Sequence, residues 1–271
     1  MNDSLKKTVS IVIPAYNEQE TIRACVQAAI DQTVPADEII VVDNRSTDNT
    51  ARILRDIQEE HPQVPLIVLR QDDLQGITPT RNVGFDAATS DIIGRIDCDT
   101  ILEPNWVEEV HKAFRDPSVD AATGPVIYYD MPLRRYIAKA DNTLRKAIFK
   151  LATSYKFLFG TNMALRREAW WAVRDETCMD EENLMHEDLD LSVHLYDAGF
   201  KAIYAPDMLV GMSARRMDSA PKDFLEYVAR IDRTYTHHGI RKKRLRVPGW
   251  VYLAIYPLAK GIRWGQKFRA S

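Results

Sequence analysis

Short runs of aliphatic and β-branched residues, separated by segments of helical periodicity, fill the N-terminal part of the chain. The runs occupy residues 9–14, 38–43, 66–69 and 91–97, and the helical segments occupy residues 20–32, 47–60 and 79–88. Unbroken apolar runs indicate strands that are covered on both faces, as in a parallel sheet between two helix layers. The alternating order therefore predicts an α/β fold with a Rossmann-like, mainly parallel sheet flanked by helices.

The remainder of the chain alternates less regularly. Helical periodicity covers residues 104–114, 133–155, 187–198 and 221–237, and strand-like runs cover residues 119–129, 161–165, 201–205 and 208–212. The 271 residues, 45% of them apolar, are enough for one sizeable core. Because no repeat or Gly/Ser-rich linker interrupts the pattern, we predict one domain over residues 1–240 and a C-terminal helical appendage over residues 241–271.

The three cysteines are widely spaced and form neither a metal-binding motif nor a disulfide framework. This usage is typical of reduced thiols in a cytosolic protein. Residues 1–8 are polar and lead directly into the first strand, without the pattern of a signal peptide. The sequence also lacks the run of about 18 apolar residues that a bilayer-spanning helix needs. We therefore expect a cytoplasmic location.

Polar residues follow three of the predicted strands at the point where each strand ends. Tyr16 follows the first strand, Asp43 the second, and Asp97-Cys98-Asp99 the fourth. In open α/β sheets, ligands bind in a crevice at the carboxyl ends of the strands. The sequence therefore predicts that these side chains meet in one crevice.

Asp97 and Asp99 flank a single residue, and side chains at i and i+2 of an extended segment lie on the same side. Two carboxylates that converge in this way suit Mg²⁺ or Mn²⁺, which bind through one or two carboxylates, substrate phosphates and water. The alternative is a polar turn after a strand. The position of the pair, in line with two other polar strand ends, favours the metal site.

Three further side chains have both a ligand-binding and a structural interpretation. Asp43 can accept hydrogen bonds from a base or ribose, while Ser46 or Thr47 can cap the helix that follows. Tyr16 can stack on a nucleobase or pack in the ordinary way. Arg81 opens a helix beside a loop and can meet a diphosphate, or it is a solvated surface arginine.

Six segments, taken in order, resemble the family-2 inverting glycosyltransferases, which have the A-type glycosyltransferase fold. The segments are residues 9–18 (VSIVIPAYNE), 41–48 (VVDNRSTD), 81–84 (RNVG), 97–99 (DCD), 160–167 (GTNMALRR) and 186–191 (HEDLDL). The resemblance covers roughly residues 8–216, which lie within the domain predicted over residues 1–240. It implies that this domain is catalytic.

The resemblance also implies roles for single residues. The side chains expected to line the nucleoside pocket are Pro14, Tyr16, Glu18 and Asp43. Asp97 would face the ribose and diphosphate, and Asp99 would be the main protein ligand of Mn²⁺ or Mg²⁺. Asp188 would be the general base, and residues 160–165 would border the sugar and acceptor. The alternative for Asp188 is that Glu187 and Asp188 only favour the start of a helix.

The implied reaction is metal-dependent, inverting transfer of a sugar from a nucleotide-diphosphate sugar to a hydroxyl of a glycan or lipid-linked glycan. A UDP-sugar is favoured, with a GDP-sugar as the alternative, and the setting expected is cell-envelope polysaccharide biosynthesis. The Gln-x-x-Arg-Trp motif of the processive synthases is missing after Asp188, and residues 260–264 (KGIRW) echo it too late. We therefore predict transfer of a single sugar.

Other classes fit the sequence less well. A non-catalytic module that binds a sugar nucleotide or a glycan on the same fold remains the alternative, although the retained carboxylates argue against it. A dinucleotide-binding dehydrogenase needs Gly-x-Gly-x-x-Gly after the first strand. Residues 16–19 (YNEQ) stand there instead. His237 and His238 can add a ligand to the metal, or they are surface histidines at a helix end.

The C-terminal segment, residues 241–271, carries nine Lys and Arg residues and no Asp or Glu. Because the whole chain has a net charge of −3, residues 1–240 have a net charge of −12. Cations interleaved with aromatic and aliphatic residues predict a helix that lies at the inner face of the cell membrane. Packing on the domain is the alternative, and Pro257 argues against a continuous helix. The acidic body disfavours nucleic-acid binding.

Overall fold

The structure, a computed structural model, describes residues 7–132 and 134–270, and for residues 135 and 266–270 it describes the backbone only. The strands within these ranges are β1 (Val9–Ala15), β2 (Glu38–Asp43), β3 (Leu66–Arg70), β4 (Ile92–Arg95), β5 (Thr100–Leu102), β6 (Ala121–Thr123), β7 (Val126–Tyr128), β8 (Met163–Arg166), β9 (Ala202–Tyr204) and β10 (Val210–Met212). The α-helices are α1 (Ile22–Ile30), α2 (Thr50–Glu60), α3 (Ile77–Ala87), α4 (Trp106–Ala113), α5 (Arg134–Leu151), α6 (Arg167–Val173), α7 (Glu187–Asp197), α8 (Pro221–His237) and α9 (Val247–Ala270).

The main sheet has seven strands in the order β3-β2-β1-β4-β8-β6-β9. Strands β3, β2, β1 and β4 run parallel, β8 is antiparallel to both of its neighbours, and β9 is parallel to β6. A small second sheet has the order β5-β10-β7. The predicted α/β fold with a mainly parallel sheet is confirmed.

Helices cover both faces of the main sheet at β1, β2 and β4, as the unbroken apolar runs predict, but in the edge strand β3 only one residue of five is buried. All seven residues of β1 are buried, and alternate side chains enter different clusters because a strand has a period of two. Ile11 and Ile13 pack with α1 and with Trp106 of α4. Val12 packs on the opposite face with Phe85 of α3 and Trp170 of α6.

The predicted strand at residues 119–129 is wrong as a single element. It is divided into β6 and β7, which belong to different sheets. At Gly124 a Cβ atom would lie 1.9 Å from the carbonyl oxygen of Met208, and Pro125 has no N–H for a sheet ladder. The chain therefore crosses from one sheet to the other at Gly124-Pro125. Strand β5 and helix α6 were not predicted.

Helix α9 packs against α8 and the 3₁₀ turn Arg215–Asp218. The ring of Tyr256 stacks on Phe224 with a centroid separation of 4.0 Å, and Arg263 makes 2.8 Å contacts with Asp130 and Asp218. The predicted break at Pro257 is wrong, because tertiary contacts on both sides hold the helix. Tyr256 and Lys260, which flank the proline, both donate hydrogen bonds to the carbonyl oxygen of Ser219.

Three expectations lie partly or wholly outside the described residues. They are the polar start of the chain at residues 1–6, the predicted helix start at residue 133, and the membrane contact of the cationic side chains of Lys267 and Arg269. In the part of the chain that is described, no helix combines the length and apolarity needed to cross a bilayer. The boundary between residues 240 and 241 stays a prediction.

Candidate active site

The carboxyl ends of β1, β2 and β4 lie side by side, and the loops that follow β1 and β2 are joined by hydrogen bonds. The backbone N–H of Asn17 donates to the hydroxyl of Ser46 at 2.9 Å, and the N–H of Thr47 donates to the side-chain oxygen of Asn17 at 2.8 Å. Asn17 and Arg45 both have positive φ angles, 53° and 65°. The side chain of Tyr16 is half exposed at this edge.

Arg95, the last residue of β4, is buried beneath the crevice and links two acidic segments. Its Nη2 atom lies 2.8 Å from Oδ1 of Asp97 and 2.9 Å from Oε1 of Glu187. The partners are separated by 90 residues, so this guanidinium joins the end of the fourth strand to the first residue of α7. The other carboxylate oxygen of Asp97 accepts a hydrogen bond from the hydroxyl of Thr161 at 2.7 Å.

The turn before β8 closes over this arginine. At Gly160 a Cβ atom would lie 1.5 Å from Nη1 of Arg95, so a side chain at this position would displace the guanidinium. The neighbouring Asn162 is fully buried. It accepts a hydrogen bond from the indole of Trp106 at 2.9 Å and donates to the carbonyl oxygens of Pro125 and Met208. This network fixes the turn in place.

Asp99 lies against a second arginine. Nε of Arg215 is 2.8 Å from Oδ2 of Asp99, and the two Nη atoms of Arg215 contact both oxygens of Glu18 at 2.6 and 2.9 Å. Burial and the charge of Asp97 raise the pKa of Asp99 to about 6, although Arg215 opposes the rise. The site therefore holds several carboxylates close together, and a cation lies on two of them.

Asp188 is the second residue of α7 and is partly exposed. One carboxylate oxygen accepts the backbone N–H of Gly160 at 2.9 Å, and the other accepts the N–H of Leu189 at 2.8 Å. Burial of the carboxyl group and the adjacent charge of Glu187 raise the pKa of Asp188 to about 7. A carboxylate with this pKa is suited to accept a proton near neutral pH.

The remaining predicted residues have different surroundings. Pro14 is buried within β1, and its carbonyl oxygen accepts the thiol of Cys98 at 3.0 Å. Asp43 is buried at the end of β2 and accepts the backbone N–H of Ser46 at 3.2 Å. The predicted cap at Ser46 or Thr47 is wrong, because α2 begins at Thr50, whose N–H donates to Asp48.

Arg81 lies inside α3 rather than at its start, and it is fully buried, so the solvated alternative is wrong. Its Nη1 donates to the carbonyl oxygen of Glu187 at 3.0 Å, and its guanidinium carbon lies 5.5 Å from the ring centroid of Trp170. Its Nη2 has no hydrogen-bond partner among the described residues. The contact of Arg81 with a diphosphate stays a prediction.

His238 lies with Asp190, at 2.8 Å from its Oδ1, and the ring of His237 contacts the thiol of Cys178 at 3.4 Å. His237 is exposed as the surface interpretation predicts, whereas His238 is partly buried.

The residues at the strand ends fit a hard divalent cation. Asp97 and Asp99 offer carboxylate oxygens, which are the ligands that Mg²⁺ and Mn²⁺ prefer. The side chain of Asp99 is only 12% exposed and already has a cationic guanidinium as its partner. A buried carboxylate that needs a positive charge beside it is well suited to hold a metal ion.

Comparison with known proteins identifies the family. The family model described as Glycosyl transferase family 2 matches residues 10–174, which include the ends of β1, β2 and β4 and the turn at Gly160. The chain belongs to glycosyl transferase family 2. The resemblance inferred from the sequence segments is thereby confirmed.

Two relatives of this family 2 chain come from Haloferax volcanii. Glycosyltransferase AglE is 26% identical over 207 residues, which are 74% of this chain and 65% of AglE. Glycosyltransferase AglD is 28% identical over 264 residues, which are 93% of this chain and 41% of AglD. The chain therefore spans less than two thirds of either relative.

Solved structures confirm the A-type glycosyltransferase fold. Mannosyltransferase PcManGT from Pyrobaculum calidifontis, in complex with GDP-Man and Mn²⁺, aligns with a TM-score of 0.68 at 21% identity and covers 97% of this chain and 74% of its own. S. aureus TarS 1-349 in complex with UDP aligns with a TM-score of 0.57 at 17% identity and covers 82% of this chain and 63% of its own.

Sequence reasoning missed two arginines of the site. Arg95 interrupts an otherwise apolar strand, and a charged residue in a buried strand is a signal that it has a specific partner. Arg215 has no comparable signal, because it lies in a short 3₁₀ turn and its partners are distant in sequence.

We predict that Arg95→Met destabilises the protein by about 3 kcal/mol, because it leaves the buried Glu187 and the adjacent Asp97 without their counter-charge. Urea unfolding measures the change. Arg95→Lys keeps the charge but not the planar guanidinium, so its free energy of unfolding should lie between those of the wild type and Arg95→Met. Arg23→Met removes an exposed arginine paired with Glu60 and is the control, with little change expected. Equal stability of Arg95→Met and the wild type would contradict the assignment.

Proposed function

We propose that this chain transfers a single sugar from a nucleotide-diphosphate sugar to a hydroxyl group, with inversion at the anomeric carbon and Asp188 as general base. The observation that best supports the proposal is the pair of contacts made by Nη2 of Arg95, which lies within 2.9 Å of both Asp97 and Glu187. Through it, the carboxylate expected to face the donor and the helix that carries the proposed base are held in one crevice. Residues 1–240 are the proposed catalytic domain.

Asp188 is suited to take the proton of the acceptor hydroxyl. Its two oxygens accept backbone N–H groups, which fix the orientation of the carboxylate. Its raised pKa makes it a stronger base than an ordinary aspartate. When the hydroxyl oxygen attacks the anomeric carbon, the bond to the diphosphate oxygen breaks on the opposite face, and the proton passes to Asp188. One displacement of this kind inverts the anomeric centre.

Asp99, with Asp97, would hold Mn²⁺ or Mg²⁺ in this proposal. A divalent ion there would neutralise the charge that builds up on the leaving diphosphate. Asp97 is kept in place for this role by Arg95 and Thr161. Arg215 would have to leave Asp99, which frees its guanidinium to bind the diphosphate.

The donor is a nucleoside diphosphate sugar in this proposal, and the structural neighbours leave its base open between two alternatives. PcManGT was solved with GDP-Man and Mn²⁺, and TarS with UDP. The half-exposed ring of Tyr16 would stack on the base, and the buried Asp43 would accept hydrogen bonds from base or ribose. Binding of UDP- and GDP-sugars to the protein distinguishes the expected UDP-sugar from the alternative GDP-sugar. The acceptor in this proposal is a glycan or lipid-linked glycan.

Helix α9 offers a surface for a lipid-linked acceptor. Its exposed side carries Trp250, 56% exposed, and Leu258, 69% exposed, which lie on one face opposite the buried Tyr256. The exposed cations of the preceding segment are Arg241, Lys242, Lys243 and Arg244. An apolar helix face beside a basic cluster is typical of contact with an anionic membrane surface. We propose that this side of α9 lies on such a surface while the other side packs on the domain.

Asp188→Asn should lower kcat by about 10²- to 10⁴-fold, because the acceptor proton loses its base. Asp197→Asn, an exposed position on the same helix, is the control and should retain activity. Wild-type activity should fall as the pH drops below about 7, where Asp188 takes up a proton before any transfer. Initial rates of sugar transfer at several pH values measure both effects.

Stability distinguishes lost chemistry from lost folding in this variant. A carboxyl whose pKa is raised on folding lowers the free energy of unfolding as the pH rises from its ordinary pKa to the raised value. Asp188→Asn removes that cost, so at pH 8 the variant should be at least as stable as the wild type. Full transfer activity in Asp188→Asn would rule out the proposed mechanism and favour a binding module or another base.

A thermal-shift panel of UDP- and GDP-sugars, with and without Mn²⁺, identifies the donor. One donor should raise Tm only when Mn²⁺ is present, since a ligand at 100 times its Kd adds about 2.7 kcal/mol. Asp99→Asn should lose the metal-dependent part of the shift, whereas the exposed control Asp207→Asn should keep it. A shift that is independent of Mn²⁺, and equal in Asp99→Asn, would contradict the metal site.

Vesicle sedimentation tests the membrane contact. The protein should bind vesicles rich in anionic lipid at low salt and bind less as salt rises. Leu258→Glu on the exposed face of α9 should weaken binding. Tyr136→Glu, which adds the same charge at an exposed position of α5, should have a smaller effect. A protein that stays in the supernatant at low salt would refute the proposal.

A further inference from the structure

Four metal-ligating side chains meet beside helix α7, on the side that faces away from Asp188. They are Cys178, Asp190, His194 and His238, and their ligand atoms all lie within 4.8 Å of one another. Asp190 and His194 are four residues apart and therefore share one face of the helix. Cys178 comes from the segment before α7, and His238 follows the last residue of α8.

The contacts within this group point at one centre. Oδ1 of Asp190 lies 2.8 Å from Nε2 of His238 and 3.5 Å from Nε2 of His194. The other oxygen of Asp190 accepts the backbone N–H of Cys178 at 3.0 Å, which holds the cysteine against the carboxylate. Nε2 of His194 is buried and has no hydrogen-bond partner among the described residues. A buried ring nitrogen without a hydrogen-bond partner can use its lone pair to bind a metal ion.

We propose that Cys178, Asp190, His194 and His238 bind a structural zinc ion. One thiolate, two imidazoles and one carboxylate make a four-ligand set of the borderline-soft type that Zn²⁺ prefers, with every position filled by protein. The set differs from the all-oxygen pair Asp97 and Asp99, which suits harder ions. On binding, the Cys178 thiol loses its proton to solvent and the sulfur bonds to zinc.

Two neighbours complete the surroundings of the site. Nδ1 of His194, the nitrogen turned away from the centre, lies 3.7 Å from a carboxylate oxygen of Glu176. At this distance the carboxylate is within ion-pair range of the ring but does not accept a hydrogen bond from it. His237 approaches the sulfur of Cys178 from the exposed side, with its Nε2 at 3.4 Å.

Zinc at this position would tie the segment of Cys178 to α7 and α8, which already pack on each other through Val193 and Val228. Helix α7 begins with Glu187 and Asp188, so the ion would brace the helix that presents the proposed base. The brace does not depend on the role of Asp188, because it concerns metal binding and stability. Its test is therefore separate from the test of transfer activity.

Metal analysis of the protein, purified without a histidine tag, tests the proposal. The wild type should hold one zinc per chain, and a chelator should lower its Tm. Replacement of zinc by Co²⁺ should give the visible bands of tetrahedral cobalt and a thiolate charge-transfer band. Cys178→Ser should lose the charge-transfer band. His194→Gln and His238→Gln, which keep an amide N–H for Asp190, should each lower the zinc content at least several-fold.

Two controls separate this site from others. His61→Gln, at the end of α2, should retain zinc. Asp99→Asn should also retain it, because the proposed ion is independent of the strand-end carboxylates. Circular dichroism shows which variants are folded, and the glutamine variants carry the test if Cys178→Ser does not fold.

The proposal is overturned if wild-type protein exposed to Zn²⁺ and then dialysed holds none and gives no cobalt bands. It is also overturned if zinc is lost from Asp99→Asn but kept in both His194→Gln and His238→Gln. The four side chains would then be a hydrogen-bonded network around Asp190 without a metal.

Discussion

The charge of Arg95 is the constraint on which the architecture of the site depends. Removing a guanidinium from water to 2% exposure costs several kcal/mol, and carboxylate partners offset that cost. Its two partners, Asp97 and Glu187, come from the end of β4 and the start of α7. Burial of one arginine therefore fixes the relative position of two segments that are far apart in sequence.

The surroundings of the crevice follow from that burial. Gly160 leaves the space that the guanidinium fills, and its backbone N–H binds Asp188. Asn162 anchors the same turn to Trp106 through a buried hydrogen bond. A side chain at Gly160 would disturb both Arg95 and Asp188. The turn at Gly160 therefore determines the packing of the arginine as well as the orientation of the proposed base.

Local patterns in the sequence were sufficient for the parallel strands and for the acidic residues at their ends. The apolar runs of β1 and β2 predict both their burial and the position of Asp43. They were insufficient where distant contacts decide. The predicted strand is divided at Gly124 because the carbonyl of Met208 lies against this residue. Helix α9 continues through Pro257 because Tyr256 and Lys260 contact Ser219. The partners of Arg215 likewise come from the distant loops that follow β1 and β4.

The guanidinium of Arg215 has a consequence for the order of events at the strand ends. It lies against Glu18 and Asp99, so a metal ion that binds Asp99 must compete with a cationic side chain of the same protein. If Asp99 holds the metal as proposed, ion alone binds weakly, whereas a diphosphate arriving with it gives the displaced arginine a new partner. Ion and donor would then strengthen each other's binding by the same factor, as thermodynamic linkage requires.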